Sequence, residues 1–289
     1  MTDTPRPVDA PLRGIILMCV AMLLMVGMSA TTKHLNATFS PTQVIWARFF
    51  FNLVLIYVVF PSRARRMFVT QYLGLHLARS CLIAFASVLF VMALRHMSIA
   101  EMVAITNTAP ILITILAALF LKERVTSAGW LAVGIAFVGV LIILRPGTDV
   151  FQWTAILPLI MAVSYAFNQI IARKLGHLED PVTSLAYTTL VGLILSTVAV
   201  PFDWTMPDAT GWVLLVMVGF FAGASHFFII RSYERSSAPT VAPFIYTELL
   251  WAMIVGYLVF QDLPDFWTLV GAAVVAASGL YVLLREGRA

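Results

Sequence analysis

Charge is scarce in this chain: 11% of its 289 residues are Asp, Glu, Lys or Arg, against about 25% in soluble globular domains. A soluble core of this size needs a polar skin, and 18 Lys and Arg with 14 Asp and Glu are too few to make one unless lipid covers most of the surface. An ordinary soluble domain is thereby excluded. Cysteine is scarcer still. Cys19 and Cys81 both lie inside apolar runs, so neither a disulfide framework nor a cysteine metal site is indicated. The sequence also lacks HExxH, GxSxG, phosphate-loop and paired-Asp patterns, so it gives no reason to expect an enzyme, a metal or another cofactor. Long polar segments are missing as well. The longest loop, PSRARRMFVTQY, is about a dozen residues, so whatever functions must lie in or beside the bilayer.

Hydrophobic residues make up 61% of the chain. Runs of about 20 apolar residues predict ten spans: 14–33, 41–60, 73–94, 99–121, 127–144, 153–172, 181–201, 211–230, 238–260 and 266–284. The first run, from Gly14, is too long for the apolar stretch of a cleaved signal and is read as the first transmembrane helix. The net charge of +4 does not point to nucleic acid, because the basic residues sit in short loops between spans. Their distribution follows the positive-inside rule. With the N-terminus in the cytoplasm, that side holds thirteen: Arg6, Arg13, Arg63, Arg65, Arg66, Lys122, Arg124, Arg173, Lys174, Arg231, Arg235, Arg285 and Arg288. Only Lys33, Arg95 and Arg145 fall on the other side. Both termini are therefore expected in the cytoplasm.

The chain also reads as duplicated. AALFLKERVTSAGWLAVGIAFVGVLI and GYLVFQDLPDFWTLVGAAVVAASGLYV each end one span on an acidic residue and begin the next, and Glu123 and Asp262 are 139 residues apart, as are Gly14 and Trp153. Five spans per half is an odd number, so the second copy starts on the opposite face of the membrane. The expected fold is an all-α integral membrane protein of ten transmembrane helices in two inverted five-helix repeats, residues 14–145 and 153–285, an arrangement that suits a transporter with its site near the midplane.

Ten spans, the 139-residue repeat, the Arg48-Phe49 pair in VIWARFFFNLVLI, and NTAPILITILAALFLKE with Pro110 thirteen residues before Glu123 together resemble the EamA branch of the drug/metabolite transporter superfamily. Within that branch the chain is similar to the bacterial aromatic amino-acid exporter type. The resemblance implies a bacterial inner-membrane protein that moves a small metabolite through one central cavity walled by spans one, three, four, six, eight and nine. At the position matching Pro110 the second half has Leu249, with its prolines earlier, at Pro239 and Pro243. A helix break common to both halves therefore does not follow from the sequence.

Individual residues sharpen the reading. Glu248 sits near the middle of span nine, where a carboxyl is expensive unless it faces a wet cavity or the protein interior. It could exchange a proton, meet a substrate ammonium group, or stay protonated in a hydrogen bond between helices. Pro243 and Pro239 should kink span nine just before it, and Pro110 should do the same in span four beside Asn107. Arg48, deep in span two, could neutralise Glu248, hold a substrate carboxylate or tie carbonyls together, with the structural role favoured. Arg79, nearer the end of span three, can reach the interface. His226 could titrate near neutrality, although packing is the commoner role for a buried His. Glu101 reads as interfacial, and Gly27, Gly134, Gly139, Gly271 and Gly279 as helix contacts. Tyr165 and Asn168 share one face of span six, as Phe244 and Glu248 share one of span nine.

The candidate substrate-binding set is thus Asn107, Tyr165, Asn168, Tyr246, Glu248 and Trp251, with Glu248, Arg48 and His226 as coupling or structural charges and Pro110, Pro239 and Pro243 as hinges. The expected function is secondary export of a small metabolite, most readily an aromatic or other neutral amino acid, by a monomer whose partners are that solute and the bilayer. A broad-specificity facilitator or channel without proton coupling is the alternative.

Overall fold

A computed structural model describes residues 11–59, 61, 67–121, 127–145, 153–175, 178–179, 181–236 and 238–286, and among these every regular element is helical. In hydrocarbon each backbone N–H and C=O must find a partner within its own segment, so apolar runs of this length fold as helices. The elements are α1 (Pro11–Leu35), α2 (Pro41–Val59), α3 (Leu73–Ala93), α4 (Ile99–Thr106), α5 (Ala109–Leu116), α6 (Ser127–Leu144), α7 (Ile156–Leu175), α8 (Pro181–Ala199), α9 (Ala209–Arg235), α10 (Ala238–Val241), α11 (Thr247–Phe260) and α12 (Phe266–Glu286). Among the described residues eight stretches are long and apolar enough to cross a membrane, and two shorter apolar helices, Gly129–Leu144 and Phe266–Tyr281, fall where spans five and ten were expected. Glu123, which marks the first copy of the repeat, lies outside the described residues, as do Arg6, Arg63, Arg65, Arg66, Lys122, Arg124 and Arg288.

Spans four and nine are not single helices. α4 stops at Thr106, Asn107 and Thr108 form a turn, and α5 begins with Pro110 in its first turn, where a missing N–H costs nothing. In the second half α10 passes through a 3₁₀ segment, Ala242–Tyr246, with Pro243 near its start, before α11 begins at Thr247. The 139-residue offset carries Asn107 onto Tyr246. Both copies thus break at the same register, although their prolines do not align. The first of these pieces is capped locally at its start. Ser98 and Glu101 form a reciprocal capping box with bonds of 2.9 and 3.1 Å, which fixes Glu101 at the start of α4, near the end of the span as expected.

The helices close into a ring. α1 packs on α9 and α11, α9 on α2, α2 on α8, α8 on α3, α3 on α7, α7 on α5 and α4, and α4 on α11. α6 and α12 pair with each other beside α4 and α5. That pair depends on two glycines: a Cβ on Gly139 would sit 3.0 Å from the Gly271 carbonyl oxygen, and one on Gly271 would sit 2.6 Å from the Gly139 carbonyl oxygen. Backbone cannot yield as a side-chain tip can. Gly271→Val is therefore expected to cost about 1–3 kcal/mol and to lower the thermal midpoint of the purified protein, whereas Gly134→Val should not, because nothing lies within 4 Å of a Cβ at Gly134. Gly134 is thus not a packing contact. Gly27 makes only ordinary contact with Phe221, at 3.5 Å.

The main core gathers at one end of the ring, from the second half of α1 (Val26, Leu35), the starts of α2 and α9 (Val44, Leu215), the end of α3 (Val91, Leu94) and all of α4. Polar tethers reinforce that end. Lys33 Nζ lies 2.7 Å from Asp262 Oδ2 and donates to the Met97 carbonyl at 3.1 Å. Arg145 pairs with Asp265 at 2.6 Å, Arg95 donates to the Phe39 carbonyl at 3.1 Å, and Asn36 donates to the Val91 carbonyl at 2.8 Å. The fully buried Gln43 exchanges two bonds with the Thr205 backbone, at 2.8 and 3.0 Å. Lys33, Arg95 and Arg145, the three exceptions to the charge bias of the loops, are therefore all tethers. Desolvation works against the Asp265 carboxylate, but the Thr268 hydroxyl and amide and the neighbouring Arg145 outweigh it and hold its pKa below the ordinary value.

Candidate functional site

Inside the ring the polar groups come from two groups of helices, α3 with α7 and α9 with α11, that pack little on each other. α3 and α7 adjoin along their length, and α9 and α11 are joined through α1, but neither α3 nor α7 packs extensively on α9 or α11. Even so, the Tyr165 phenol of α7 lies within electrostatic reach of Tyr233 on α9, Glu248 on α11 and Arg79 on α3. His226 on α9 is likewise within reach of Arg48 and Arg79. Side chains within reach of one another from helices that pack so little on each other mark a candidate central site, the central gap. Tyr165, midway along α7, is 42% exposed, and Tyr233 is 42% exposed as well.

Two groups in this gap lack the partners that burial usually demands. Glu248 stands in the first turn of α11, directly after the 3₁₀ segment, half-buried, and among the described residues its carboxyl has no hydrogen bond or ion pair. A carboxyl there benefits from the amino end of α11. Arg79 donates Nε–H to Asn168 Oδ1 at 2.8 Å, and Asn168 is itself only 2% exposed. Its guanidinium is thus turned onto α7 and not simply drawn out to the interface. Next to it Gln169 donates to the Tyr165 hydroxyl at 3.2 Å.

The other expected residues are more dispersed. Arg48 does not meet Glu248; its guanidinium lies over the Phe49 and Phe90 rings, at 5.8 and 5.4 Å, with Ser87 Oγ at 3.5 Å. Those contacts suit a structural cation. Tyr246 directs its hydroxyl against Gly279 of α12. Trp251 packs with Met18, Met22 and Phe244, and its buried indole N–H has no partner among the described residues. Asn107 occupies the break between α4 and α5 with a buried, unpartnered Nδ2. Pro110 and Pro243 sit at the two breaks and Pro239 in α10. Sequence reasoning missed Arg79 and Tyr233. Arg79 is two turns into its helix, a signal of depth outweighed by the length of the side chain, and Tyr233, two residues before Arg235, reads as an interfacial aromatic.

Two measured hollows lie elsewhere. One of about 300 Å³, at the tethered end, is bordered by His34, Thr205 and Asp208. The other, about 420 Å³ and almost wholly apolar, lies between α5, α6 and α7 near Leu112, Phe137 and Val163. Neither includes Arg79, Tyr165 or Glu248. A polar solute needs convergent polar partners, which makes the central gap the better candidate despite these volumes. The described residues contain no group of three or more His, Cys, Asp or Glu that could hold a metal.

The chain is similar to several curated transporters along most of its length. An S-adenosylmethionine uptake transporter of Rickettsia felis is 25% identical, with 89% of this chain and 88% of that protein covered. A riboflavin transporter of Vibrio cholerae is 28% identical over 96% and 94%, and a pseudopaline exporter of Pseudomonas aeruginosa is 24% identical over 92% and 94%. A solved structure, described as a crystal structure of protein, superposes with a TM-score of 0.68 at 15% identity and covers 95% of this chain and 98% of its own; it shows a common fold. The model of the EamA-like transporter family matches residues 12–145 and again 152–285, and the chain belongs to that family.

Proposed function

We propose that the protein is a secondary transporter that exports small zwitterionic metabolites, amino acids first among them, by alternating access through the central gap. The observation that carries this reading is the convergence of Tyr165, Tyr233, Glu248 and Arg79 from four helices, of which α3 and α7 do not pack extensively on α9 or α11. Both signs of charge and two phenols suit a solute with an ammonium group, a carboxylate and a flat side chain. Further support comes from a relative named for S-adenosylmethionine, itself an amino-acid derivative. In this reading Asn107, Tyr165, Glu248 and Trp251 contact the solute, Asn168 acts through Arg79 and Tyr246 through α12, Glu248 carries the coupling proton, Arg48 and His226 hold the surrounding helices, and the breaks at Pro110 and Pro243, with Pro239 in α10, serve as hinges. All ten apolar helices cross the inner membrane, in two inverted repeats of residues 14–145 and 153–285. Thirteen basic residues against three put both termini in the cytoplasm, so the tethered end faces outward and the gap opens inward.

Counterflow in proteoliposomes with a panel of labelled amino acids, with and without a pH gradient, tests the reading. Saturable exchange of at least one neutral amino acid is expected, and linear, non-exchanging flux would favour the channel alternative. An aromatic side chain stacked on the solute contributes about 0.5–1.5 kcal/mol beyond burial. Tyr165→Ala or Trp251→Ala should accordingly raise half-saturation for tryptophan roughly three- to tenfold and for threonine less; equal losses in folded protein would reject an aromatic-selective cavity.

A further inference from the structure

We infer that Arg79, oriented by Asn168, is the site that takes the anionic group of the transported solute, so that the solute lies with its negative end toward α3 and its positive end toward Glu248 of α11. The inference rests on the transport reading above and adds to it a residue and a direction.

The guanidinium of Arg79 is fixed on one edge and open on the other. Its Nε–H goes to Asn168 Oδ1 at 2.8 Å, and Asn168, 2% exposed, is an amide with no freedom to follow a moving partner. Neither terminal nitrogen of Arg79 has a hydrogen bond or an ion pair among the described residues. A guanidinium carries five N–H donors in a planar fork, and the edge made by the two terminal nitrogens matches the spacing of two carboxylate or phosphate oxygens. An Arg held in the membrane without a counter-ion is expensive. The other intramembrane cation, Arg48, meets that cost with the Phe49 and Phe90 rings. Among the described residues no aromatic ring covers Arg79 in this way.

Geometry sets the direction. Arg79 sits on α3, which packs along α7 and so beside the helix that carries Tyr165, whereas Glu248 sits on α11, which α7 meets through α4, and the Tyr165 phenol lies within electrostatic reach of both. A solute bound beside Tyr165 therefore has a cation on the α3 side and a carboxyl on the α11 side. Glu248, with no partner of its own among the described residues, suits an ammonium or other cationic group. The opposite orientation would set like charges against each other at both ends. Asn168 is a positioning residue here: it touches Arg79, not the solute.

The test uses four related probes: L-phenylalanine, phenethylamine without the carboxylate, 3-phenylpropionate without the ammonium, and phenyl phosphate. Each is titrated against purified full-length protein by the shift in thermal midpoint and, separately, used to compete for counterflow. In the unaltered protein phenylalanine is expected to bind on the order of ten- to a hundredfold more tightly than phenethylamine, the range for a charge-assisted hydrogen-bonded pair. Arg79→Gln should erase that difference by weakening phenylalanine and 3-phenylpropionate while leaving phenethylamine unchanged; Arg79→Lys should restore part of it. Asn168→Ala should reduce the same ratio less. Glu248→Gln should weaken phenethylamine and spare 3-phenylpropionate. Equal weakening of all probes by Arg79→Gln, or a retained preference for the carboxylate, overturns the inference. Tighter binding of phenyl phosphate than of 3-phenylpropionate keeps Arg79 as the anion site but makes the natural anion a phosphate. If no amino acid exchanges in counterflow, the amino-acid reading fails, while Arg79-dependent binding of 3-phenylpropionate or phenyl phosphate still decides this one.

Discussion

Glu248→Gln is expected to cut exchange of a cationic or zwitterionic solute on the order of ten- to a hundredfold, the range for losing a charged hydrogen-bond partner, and to flatten its dependence on pH between 5 and 8. The sign follows from the chemistry of the carboxyl. Only the deprotonated form attracts an ammonium group, so in the unaltered protein acid should raise half-saturation and alkali should lower it. Glutamine keeps the shape and most of the hydrogen-bonding capacity but cannot titrate. Because Glu248 has no partner among the described residues, the substitution breaks no bond of the fold, and expression and thermal midpoint should stay close to normal. Normal exchange with an unchanged pH profile in the variant would show that the carboxyl is a spectator. A collapse of folded yield would instead make it a structural hydrogen bond.

Release of the Lys33 tether should be the second large effect. Lys33 joins the end of α1 to the loop after α11 through Asp262 and to the turn after α3 through the Met97 carbonyl, while its ammonium lies 5.2 Å from the Phe260 ring. These attachments belong to both halves of the chain, so the end they close cannot open until they part. An exposed pair contributes about 0–1 kcal/mol and a charged bond to a carbonyl about 1.5–3 kcal/mol. With side chains 20% and 38% exposed, a loss of about 1–2 kcal/mol is expected, or roughly a five- to thirtyfold gain in the population open at this end. Val103→Cys, in a background where Cys19 and Cys81 are replaced, reports that opening, since Val103 is 1% exposed in the core behind the tether. Lys33→Asp should speed its labelling by an impermeant reagent, and adding Asp262→Lys should slow it again. Labelling that ignores both substitutions would mean that apolar packing alone keeps this end shut. The neighbouring Arg145–Asp265 pair should persist through the working range. A depressed carboxylate stabilises above its ordinary pKa and releases that stability only as pH falls through the lower folded value, below about pH 4.

Much of the architecture was legible before any coordinates. Apolar runs, loop charges and the 139-residue offset follow from the bilayer acting as solvent: hydrocarbon forces each long run into a helix whatever its neighbours do. Among the described residues eight stretches long and apolar enough to span, and two shorter apolar helices, appear where those runs lie. The capping box at Ser98 and Glu101 is equally local, since its two bonds connect residues three apart.

The site was less legible because it depends on which way a side chain turns, and a helix in lipid gives little sign of that. α1, α6 and α11 are apolar on every face, so periodicity does not separate the lumen from the lipid. Arg48 and Arg79 show the consequence. The deeper of the two, for which a structural role was favoured, lies over two aromatic rings, while the shallower one, expected only to reach the interface, is bound to Asn168 on another helix, 89 positions away. The coincidence of the breaks at Asn107 and Tyr246 was hidden too, because the two copies place their prolines differently. Sequence by itself determined that this is a duplicated helical membrane protein with a carboxyl at depth, since solvation and chain connectivity act residue by residue. Tertiary structure alone decided which end is tethered, where Arg79 and Tyr246 turn, and which polar groups come within reach of Tyr165, because those follow from packing between segments that the sequence keeps far apart.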